Sequence, residues 1–361
     1  MREWEKHIRR VEPYVPGEQP KDRGIIKLNT NENPYPPAPG VLEALKRLEG
    51  EGLRKYPDPA AADLTEAIAK NYGVGTDQVF VGVGSDDVLA MCFLTFFNSK
   101  KPILFPDITY SFYDVWAGLF QIPFERIPLD DQFKIRPEDY KKENGGVIFP
   151  NPNAPTGLLL PLEQVEEILK ANRDVIVIVD EAYIDFGGIS ALSLIDRYEN
   201  LLVVQTFSKS RSLAGMRIGF ALGNPELIRC LQDVKYSFNS YTMNQAAIAA
   251  GTAAIKDREY FELTRKKIMD TREKTQRELR KLGFVFQDSA ANFLFAAHPD
   301  CPGKELFLAL RQGGIYIRYF NKPRIDQYLR ITIGTDEQMD TLFAFLKKYL
   351  EERGGNRNGH V

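Results

Sequence analysis

The feature that most constrains this chain is a series of short, continuously apolar runs between residues 29 and 239. The runs are Val79–Val83, Ile103–Phe105, Val147–Phe149, Val175–Val179 and Leu201–Thr206. Such Val- and Ile-rich runs are typical of strands buried on both faces of a parallel sheet. Helical patterns such as Leu162–Ala171 separate them. The alternation predicts an α/β fold with a mostly parallel central sheet.

The pattern changes after about residue 244, where helices outnumber strands. The elements expected there are a long charged helix over Tyr260–Leu282, strands over Asn292–Ala296, Ile315–Tyr319 and Tyr328–Ile333, and a helix over Lys304–Gln312. We therefore expect a large domain over residues 31–244 and a smaller α+β domain over 245–361. Residues 1–30, rich in Pro and Gly, are expected to form an arm that packs on the small domain or across a dimer.

Length and charge narrow the class of protein. A chain of 361 residues is suited to two domains, and its net charge of −2 gives no reason to expect nucleic acid or a membrane surface as a partner. The first residues lack the apolar core of a signal peptide, and no apolar run reaches the length of a membrane span. Three cysteines and three histidines are widely scattered, so we expect no disulfides, no metal site and a cytoplasmic protein.

The strongest candidate for chemistry is Lys209, in the segment Thr206–Ser210 that directly follows an apolar run. A lysine at the end of a buried strand is costly unless it is used. Its neutral amine can form a Schiff base with an aldehyde. A Ser-Lys pair by itself is more often part of a solvated loop, so the interpretation depends on its neighbours.

Asp180 and Tyr183 follow the preceding apolar run. Catalytic groups in open α/β sheets collect at the carboxyl ends of strands. A carboxylate there could pair with a protonated pyridine nitrogen, and Tyr183 could reach a phenolic ring oxygen. Asp180 could equally be the N-cap of a helix.

Gly84 and Ser85 stand between a strand and a helical run. The start of a helix offers free N–H groups and a favourable dipole to an anion such as phosphate. Ser208 and Arg217 could add a hydroxyl and a guanidinium to the same site. A Gly-Ser turn alone is a weak signal.

Taken in order, these motifs resemble fold-type I pyridoxal-phosphate enzymes of the class I and II aminotransferase family. The resemblance extends from residue 13 to the last helix. It rests on Asn31-Glu32-Asn33-Pro34, Tyr56-Pro57-Asp58, Gly84-Ser85-Asp86, Tyr110, Pro155-Thr156-Gly157, Asp180-Glu181-Ala182-Tyr183, and Ser208-Lys209 with Arg217. Each motif is common, but their joint order and spacing are specific.

The resemblance implies pyridoxal 5′-phosphate as cofactor and a role for each residue. Lys209 resembles the lysine that carries the cofactor as a Schiff base, Asp180 its pyridinium partner, and Tyr183 the group on its ring oxygen. Tyr110 resembles the aromatic residue that stacks on the ring, although a core tyrosine would look the same. Tyr56 resembles the tyrosine that reaches the cofactor phosphate from the neighbouring subunit, which implies a homodimer. The phosphate would be held by Gly84, Ser85, Asp86, Ser208 and Arg217.

One position departs from the family pattern. The family usually has an asparagine directly before Pro-Thr-Gly, where it bonds the ring oxygen of the cofactor, and this chain has Ala154. Either Asn153 supplies the amide instead, or Tyr183 makes the contact alone.

Within the family, the chain is most similar to the histidinol-phosphate branch, in Pro13–Gly17, Leu28–Pro34 and Tyr328–Gly334. This similarity implies ping-pong transamination between histidinol phosphate and 2-oxoglutarate, giving imidazole acetol phosphate and glutamate. Arg330 resembles the family's anion-binding arginine. Arg318 would be a second such arginine, and Tyr14 a phosphate contact from the arm, although either could be a surface or packing residue.

Three other functions are compatible with parts of this pattern. An aromatic amino-acid aminotransferase would use the same machinery, with Arg330 on the α-carboxylate. A phosphothreonine decarboxylase-like enzyme would keep the cofactor and change the reaction. A cofactor-sensing transcription regulator would carry a DNA-binding domain before the aminotransferase-like part, and no helix-turn-helix pattern precedes Asn31.

Overall fold

The computed structural model describes residues 2–20 and 24–358, with side chains as far as residue 353. Its strands are β1 (Ile26–Lys27), β2 (Val79–Gly82), β3 (Ile103–Pro106), β4 (Phe124–Ile127), β5 (Val147–Pro150), β6 (Val177–Asp180), β7 (Leu201–Thr206), β8 (Gly219–Gly223), β9 (Phe293–Ala296), β10 (Ile315–Tyr316), β11 (Arg318–Tyr319) and β12 (Leu329–Thr332). Its α-helices are α1 (Pro39–Lys46), α2 (Gly50–Leu53), α3 (Ala62–Tyr72), α4 (Ser85–Phe96), α5 (Phe112–Phe120), α6 (Leu162–Ala171), α7 (Pro225–Phe238), α8 (Gln245–Lys256), α9 (Arg258–Lys281), α10 (Gly303–Gln312) and α11 (Asp336–Asn358).

A seven-stranded sheet in the order β2-β8-β7-β6-β5-β3-β4 forms the centre of the molecule. Strands β4, β3, β5, β6 and β7 run parallel, and β8 is antiparallel to both β7 and β2. Alternate residues of one strand enter two different apolar cores: Val177 and Val179 pack on one face and Ile178 on the other. The prediction of an α/β fold with a mostly parallel, doubly covered sheet is confirmed.

A smaller antiparallel sheet in the order β11-β12-β9 lies in the C-terminal part of the chain, packed with α9, α10 and α11 in a third core. Strand β1 pairs in parallel with β10, so Ile26 stands beside Ile315. The arm segment that precedes the large sheet is therefore attached to the C-terminal part. The predicted boundaries at residues 30 and 244 stay predictions, and residues 1, 21–23 and 359–361 lie outside the described ones.

The structure differs from the predicted strands in several places, including the short strand β1, which was not predicted. The strand expected over Val175–Val179 is shifted to β6, so that Asp180 ends it rather than follows it. The strand expected over Ile315–Tyr319 divides into β10 and β11, because its two halves pair with different strands. Strands β4 and β8 were not predicted, since β4 carries charged residues at an edge and β8 contains two glycines.

Gly219 of β8 is required by close packing. A Cβ atom there would lie 2.3 Å from the backbone carbon of Gly84 and from the nitrogen of Ser85. Because glycine has no side chain, β8 can run directly beneath the start of α4. Among the described residues, no helix is long and apolar enough to cross a membrane.

Three asparagines, each buried or half-buried, stand before strands of the large sheet: Asn144 before β5, Asn172 before β6 and Asn200 before β7. Asn144 donates to the side-chain oxygen of Asn172 at 2.7 Å. Asn172 donates to two backbone carbonyls, at 3.1 and 2.8 Å. Asn200 donates to the carbonyls of Asn172 and Val175 at 2.8 Å each. These bonds tie the loops at the amino-terminal edge of the sheet to one another.

Candidate active site

The candidate site lies at the opposite edge, where β6 and β7 end. Asp180 is the last residue of β6 and stands beside Val204 of β7, and Lys209 follows β7 by three residues. The Lys209 amine lies 5.6 Å from the centroid of the Tyr183 ring and donates to the backbone carbonyl of Thr30 at 3.1 Å. The structure therefore brings Lys209, Asp180 and Tyr183 to one edge of the sheet.

The Asp180 carboxylate is almost fully buried, with 4% of its surface exposed. The Tyr113 hydroxyl donates to Oδ2 at 2.9 Å, and the backbone N–H of Ala182 donates to Oδ1 at 3.2 Å. Burial raises the pKa of Asp180 to about 6, against the opposing effect of these two hydrogen bonds and of the Lys209 charge. A buried carboxylate of this kind gains most from a cationic partner placed against it.

Tyr183 is held by groups from other parts of the fold. Its ring packs edge-on against Phe293, with 5.0 Å between centroids. Its hydroxyl accepts a hydrogen bond from the side-chain amide of Asn31 at 2.9 Å. Among the described residues, the hydroxyl hydrogen itself has no protein acceptor, so it is available to a bound molecule.

The start of α4 is the candidate anion site. Gly84, the N-cap residue, has a φ of +85°, and no side chain caps the first turn. A Cβ atom on Gly84 would lie 2.5 Å from Nη2 of Arg217, so glycine is what allows the guanidinium this close to the helix start. Nη1 of Arg217 lies 3.4 Å from the hydroxyl of Ser208. Free helix N–H groups, the Ser85 and Ser208 hydroxyls and a guanidinium together suit a phosphate.

Asp86 faces this anion site from within α4. Its Oδ2 accepts from Nη2 of Arg217 at 3.0 Å, and its Oδ1 accepts from the Tyr110 hydroxyl at 2.7 Å. Burial and the Asp86 charge raise the pKa of Tyr110, so its phenol stays protonated. Asp86 therefore positions a cation and an aromatic ring rather than presenting its own charge to a phosphate.

The amide of Asn153 is used inside its own loop. Its Nδ2 donates to the carbonyl of Ile108 and to the hydroxyl of Thr156, both at 3.0 Å, and its Oδ1 accepts from Thr109 at 3.2 Å. Both amide hydrogens are thus occupied. Ala154 packs in the same apolar core as Tyr183. Of the two alternatives for the ring-oxygen contact, the geometry favours Tyr183 alone.

Two arginines lie side by side on neighbouring strands of the small sheet, because Arg318 of β11 pairs with Arg330 of β12. Nη2 of Arg330 donates to the carbonyl of Asn29 at 2.9 Å, while its buried Nε has no partner in the part of the chain that the structure describes. Burial lowers the pKa of Arg330, and the Arg318 charge lowers it further. An incompletely paired, buried guanidinium is a strong site for an anion.

The N-terminal arm contacts Arg318, the more exposed of these two arginines. Arg318 donates to the carbonyls of Val15 and Pro16 at 3.3 and 3.5 Å. Tyr14 stacks on Phe112, with 4.1 Å between centroids. Tyr14 and Arg318 line a cavity of about 880 Å³ that also reaches Thr109 and Pro155. The cavity is large enough for a small phosphorylated substrate.

Tyr56 stands apart from the other candidate residues. Its side chain is 80% exposed and stacks on Tyr241 at 4.6 Å. Among the described residues, it makes no hydrogen bond to any other candidate site residue.

A family model described as aminotransferase class I and II matches residues 23–346. The chain belongs to the class I and II aminotransferase family. A histidinol-phosphate aminotransferase of Pseudomonas putida is 56% identical over 95% of this chain and 99% of its own length. One from Clostridium beijerinckii is 54% identical over 95% of this chain and 96% of its own length. The crystal structure of a histidinol-phosphate aminotransferase from Sinorhizobium meliloti in complex with pyridoxal-5′-phosphate has a TM-score of 0.82 at 25% identity and covers 91% of each chain.

Sequence reasoning missed four contributors to this aminotransferase site. Tyr113 lies in an aromatic stretch of α5 that is indistinguishable from core by pattern. Thr332 and the carbonyl of Thr30 act through contacts between residues that are 301 and 179 positions apart, respectively. Asn31 was noticed only as part of a motif, and its left-handed φ of +57° could not be deduced from its neighbours.

Proposed function

We propose that this protein is a pyridoxal-phosphate-dependent aminotransferase that transfers the amino group of histidinol phosphate to 2-oxoglutarate. The observation that carries the proposal is the meeting of the Lys209 amine, the buried Asp180 carboxylate and an anion site at one sheet edge. The names of relatives that are 54 to 56% identical over nearly the whole chain support the choice of substrate.

The residues of the site fit the cofactor. The start of α4, with Ser85, Ser208 and Arg217, would hold its phosphate. Asp180 would face the pyridine nitrogen, and the Lys209 amine would reach the aldehyde. When bound, pyridoxal phosphate supplies an electron sink for the charge left on the substrate carbon after proton removal.

Lys209 is the proposed general acid and base. Among the described residues its amine has one hydrogen bond, to the carbonyl of Thr30, so it can move between that carbonyl and a substrate at little cost. In the neutral form it removes the proton beside the substrate nitrogen and later returns it. Asp180, with a pKa of about 6, is mostly ionised at neutral pH and would stabilise a proton on the pyridine nitrogen.

Binding of both substrates is assigned to the two arginines and the arm. Histidinol phosphate carries a phosphate and no carboxylate, whereas glutamate carries two carboxylates. The guanidinium of Arg330, whose hydrogen bond among the described residues is that of Nη2 to the Asn29 carbonyl, would present further N–H donors to either anion together with Arg318 beside it. Tyr14 lines the same cavity as Arg318 and would contact the substrate phosphate from the arm.

A substrate panel tests the proposal against its nearest alternatives. The holoenzyme is mixed with histidinol phosphate, phenylalanine, tyrosine or phosphothreonine, and the spectral change of the cofactor and any release of CO₂ are followed. We expect kcat/KM for histidinol phosphate to exceed that for phenylalanine, with no CO₂. A higher kcat/KM for an aromatic amino acid, or release of CO₂ from phosphothreonine, would replace the proposed activity.

We also propose that the active unit is a homodimer, with Tyr56 completing the partner's phosphate site. Its exposure and its stacking on Tyr241, itself partly exposed, support this assignment. Mixing inactive Lys209→Ala and impaired Tyr56→Ala subunits should restore activity, because a mixed dimer has one site with both residues intact. No gain on mixing, after subunit exchange has been verified, would contradict a shared site.

We further place the enzyme in the cytoplasm, since its charged substrates cross membranes poorly.

A further inference from the structure

We infer that Asn31 sets the direction in which the Tyr183 hydroxyl donates its proton, and that Asn31 takes its own orientation from Thr332 on β12. The inference rests on the proposed function, because it concerns how Tyr183 meets the ring oxygen of the cofactor. It assigns Asn31 and Thr332 as positioning residues that need not touch the substrate.

Asn31 is only 1% exposed, and each of its polar atoms forms a hydrogen bond within the protein. Its backbone N–H donates to the Thr332 hydroxyl at 3.0 Å, and that hydroxyl donates to Oδ1 of Asn31 at 3.0 Å. Its carbonyl accepts from the side chain of Asn292 at 3.0 Å. Its Nδ2 donates to the Tyr183 hydroxyl at 2.9 Å. The left-handed backbone of Asn31 makes this set of contacts possible, and asparagine tolerates that conformation better than most residues.

These contacts determine the direction of the Thr332 hydroxyl hydrogen, then the orientation of the Asn31 amide, and then the direction of the Tyr183 hydroxyl hydrogen. Because the Thr332 hydroxyl accepts the Asn31 N–H, its own hydrogen is free to bond Oδ1, and the amide nitrogen of Asn31 is therefore the atom that faces Tyr183. An amide nitrogen only donates, so the Tyr183 oxygen must accept. The Tyr183 hydrogen then points away from Asn31, and it has no acceptor among the described residues. It is kept for the anionic ring oxygen of the cofactor.

The arrangement also connects the two sheets of the molecule. Thr332 and Arg330 are two residues apart on β12 and share one face of that strand. The strand that carries the proposed substrate-binding arginine therefore also carries the hydroxyl that orients Asn31. A displacement of β12 on substrate binding would be transmitted to Tyr183 through two hydrogen bonds.

The pH midpoint of the absorption spectrum of the bound cofactor measures this donation. A hydrogen bond to the ring oxygen weakens the attraction of that oxygen for the neighbouring proton on the lysine-derived nitrogen, and so lowers the midpoint. Asn31→Asp places a carboxylate against Tyr183. This carboxylate accepts a hydrogen bond from the Tyr183 hydroxyl, which then no longer donates to the ring oxygen, and we expect the midpoint to rise by about one pH unit. Asn31→Ala leaves that hydrogen free and should give a smaller rise.

Two variants of Thr332 test the second half of the inference. Thr332→Val removes the hydroxyl that orients the amide, and we expect a rise between those of the two Asn31 variants. Thr332→Ser keeps the hydroxyl and should keep the wild-type midpoint. Asn144→Asp is the matched control, because it makes the same change at a buried amide on the amino-terminal edge of the sheet, and it should leave the midpoint unchanged.

The outcomes separate this inference from the proposed function. An unchanged midpoint in Asn31→Asp, or equal rises in Asn31→Asp and Asn31→Ala, would overturn the assignment of Asn31. Should Asn31→Asp not fold, equal midpoints in Thr332→Val and Thr332→Ser would overturn it instead. If the wild-type protein bound no cofactor through Lys209 in the first place, the proposed function itself would fail.

Discussion

The buried side-chain amides at the amino-terminal edge of the central sheet and the charged groups of the candidate site differ in how fully they are paired. At the amino-terminal edge, Asn144 and Asn172 direct their amide hydrogens to protein acceptors. At the carboxyl-terminal edge, Asp180 has a raised pKa, and on β12 of the small sheet the buried Nε of Arg330 has no partner among the described residues. Buried polar groups with hydrogen-bond partners stabilise a fold, whereas buried or charged groups that lack partners can gain free energy when a ligand supplies them.

The same contrast appears within two adjacent residues. Glu181 follows Asp180 and is equally buried, but it accepts from the Ser190 hydroxyl, the Ala191 N–H and the Gln205 amide. Burial raises the pKa of Glu181 to about 7 in spite of these donors. The Glu181 oxygens accept three hydrogen bonds, whereas within the described part of the chain the Asp180 oxygens accept two, from the Tyr113 hydroxyl and one backbone N–H. Chemistry is thus assigned to the carboxylate with the fewer partners.

The largest effect is expected from Lys209→Ala, which removes the only proposed acid-base group of the reaction. We expect kcat to fall by at least about 10⁴-fold, and the covalent cofactor absorbance to disappear. Lys100→Ala, an exposed lysine of the same chain, serves as the control and should keep full activity. Substantial activity in Lys209→Ala would remove the carboxyl-terminal edge from the mechanism.

Arg330→Lys should have the next largest effect. The planar fork of donors is lost while the charge is kept, so we expect KM for both substrates to rise about 10- to 100-fold, with a smaller change in kcat. Arg311→Lys alters an exposed ion pair with Glu18 and is the matched control. An unchanged KM for histidinol phosphate and for glutamate would show that the anion binds elsewhere.

Tyr113→Phe should move the pH profile rather than abolish activity. The Tyr113 hydroxyl holds the pKa of Asp180 down to about 6, so its removal should raise that pKa by about one further unit. Activity needs ionised Asp180, and the acid limb of kcat/KM should therefore move to higher pH. Tyr140→Phe is the control, because the buried Tyr140 hydroxyl makes no hydrogen bond within the described residues. Equal acid limbs in the two variants would contradict the role of Tyr113.

Asn172→Ala should have the smallest effect on activity and a clear one on stability. It leaves buried carbonyls without donors, and we expect the free energy of unfolding to fall by about 1–3 kcal/mol in urea denaturation. The kcat of the folded protein should not change. Asn98→Ala, an exposed amide at the end of α4, should lose less stability. A loss of kcat in Asn172→Ala would erase the contrast between the two edges.

Sequence reasoning recovered the parts of this molecule that depend on local pattern. It predicted the parallel strands β3, β5, β6 and β7, because continuous apolar runs identify them, and it placed β7 at its observed bounds; the parallel edge strand β4, which lacks such a run, was missed. It also selected Lys209, Asp180 and Tyr183, which the structure brings to one edge. Strand β8 was missed because glycines are uncommon in strands. Its Gly219 is required by close packing against the start of α4, which is distant in sequence. Asn31 and Thr332 were missed as site residues for the same reason, since their partners are distant in sequence.

The contact between Asn31 and Thr332 joins residues that are 301 positions apart. During synthesis, residues up to the end of β8 can leave the ribosome and build the large sheet before β12 exists. Tyr183 therefore lacks its oriented hydrogen-bond donor until nearly all of the chain has been translated. A nascent or C-terminally truncated chain therefore carries the Lys209 amine before the contact that orients Asn31 can form.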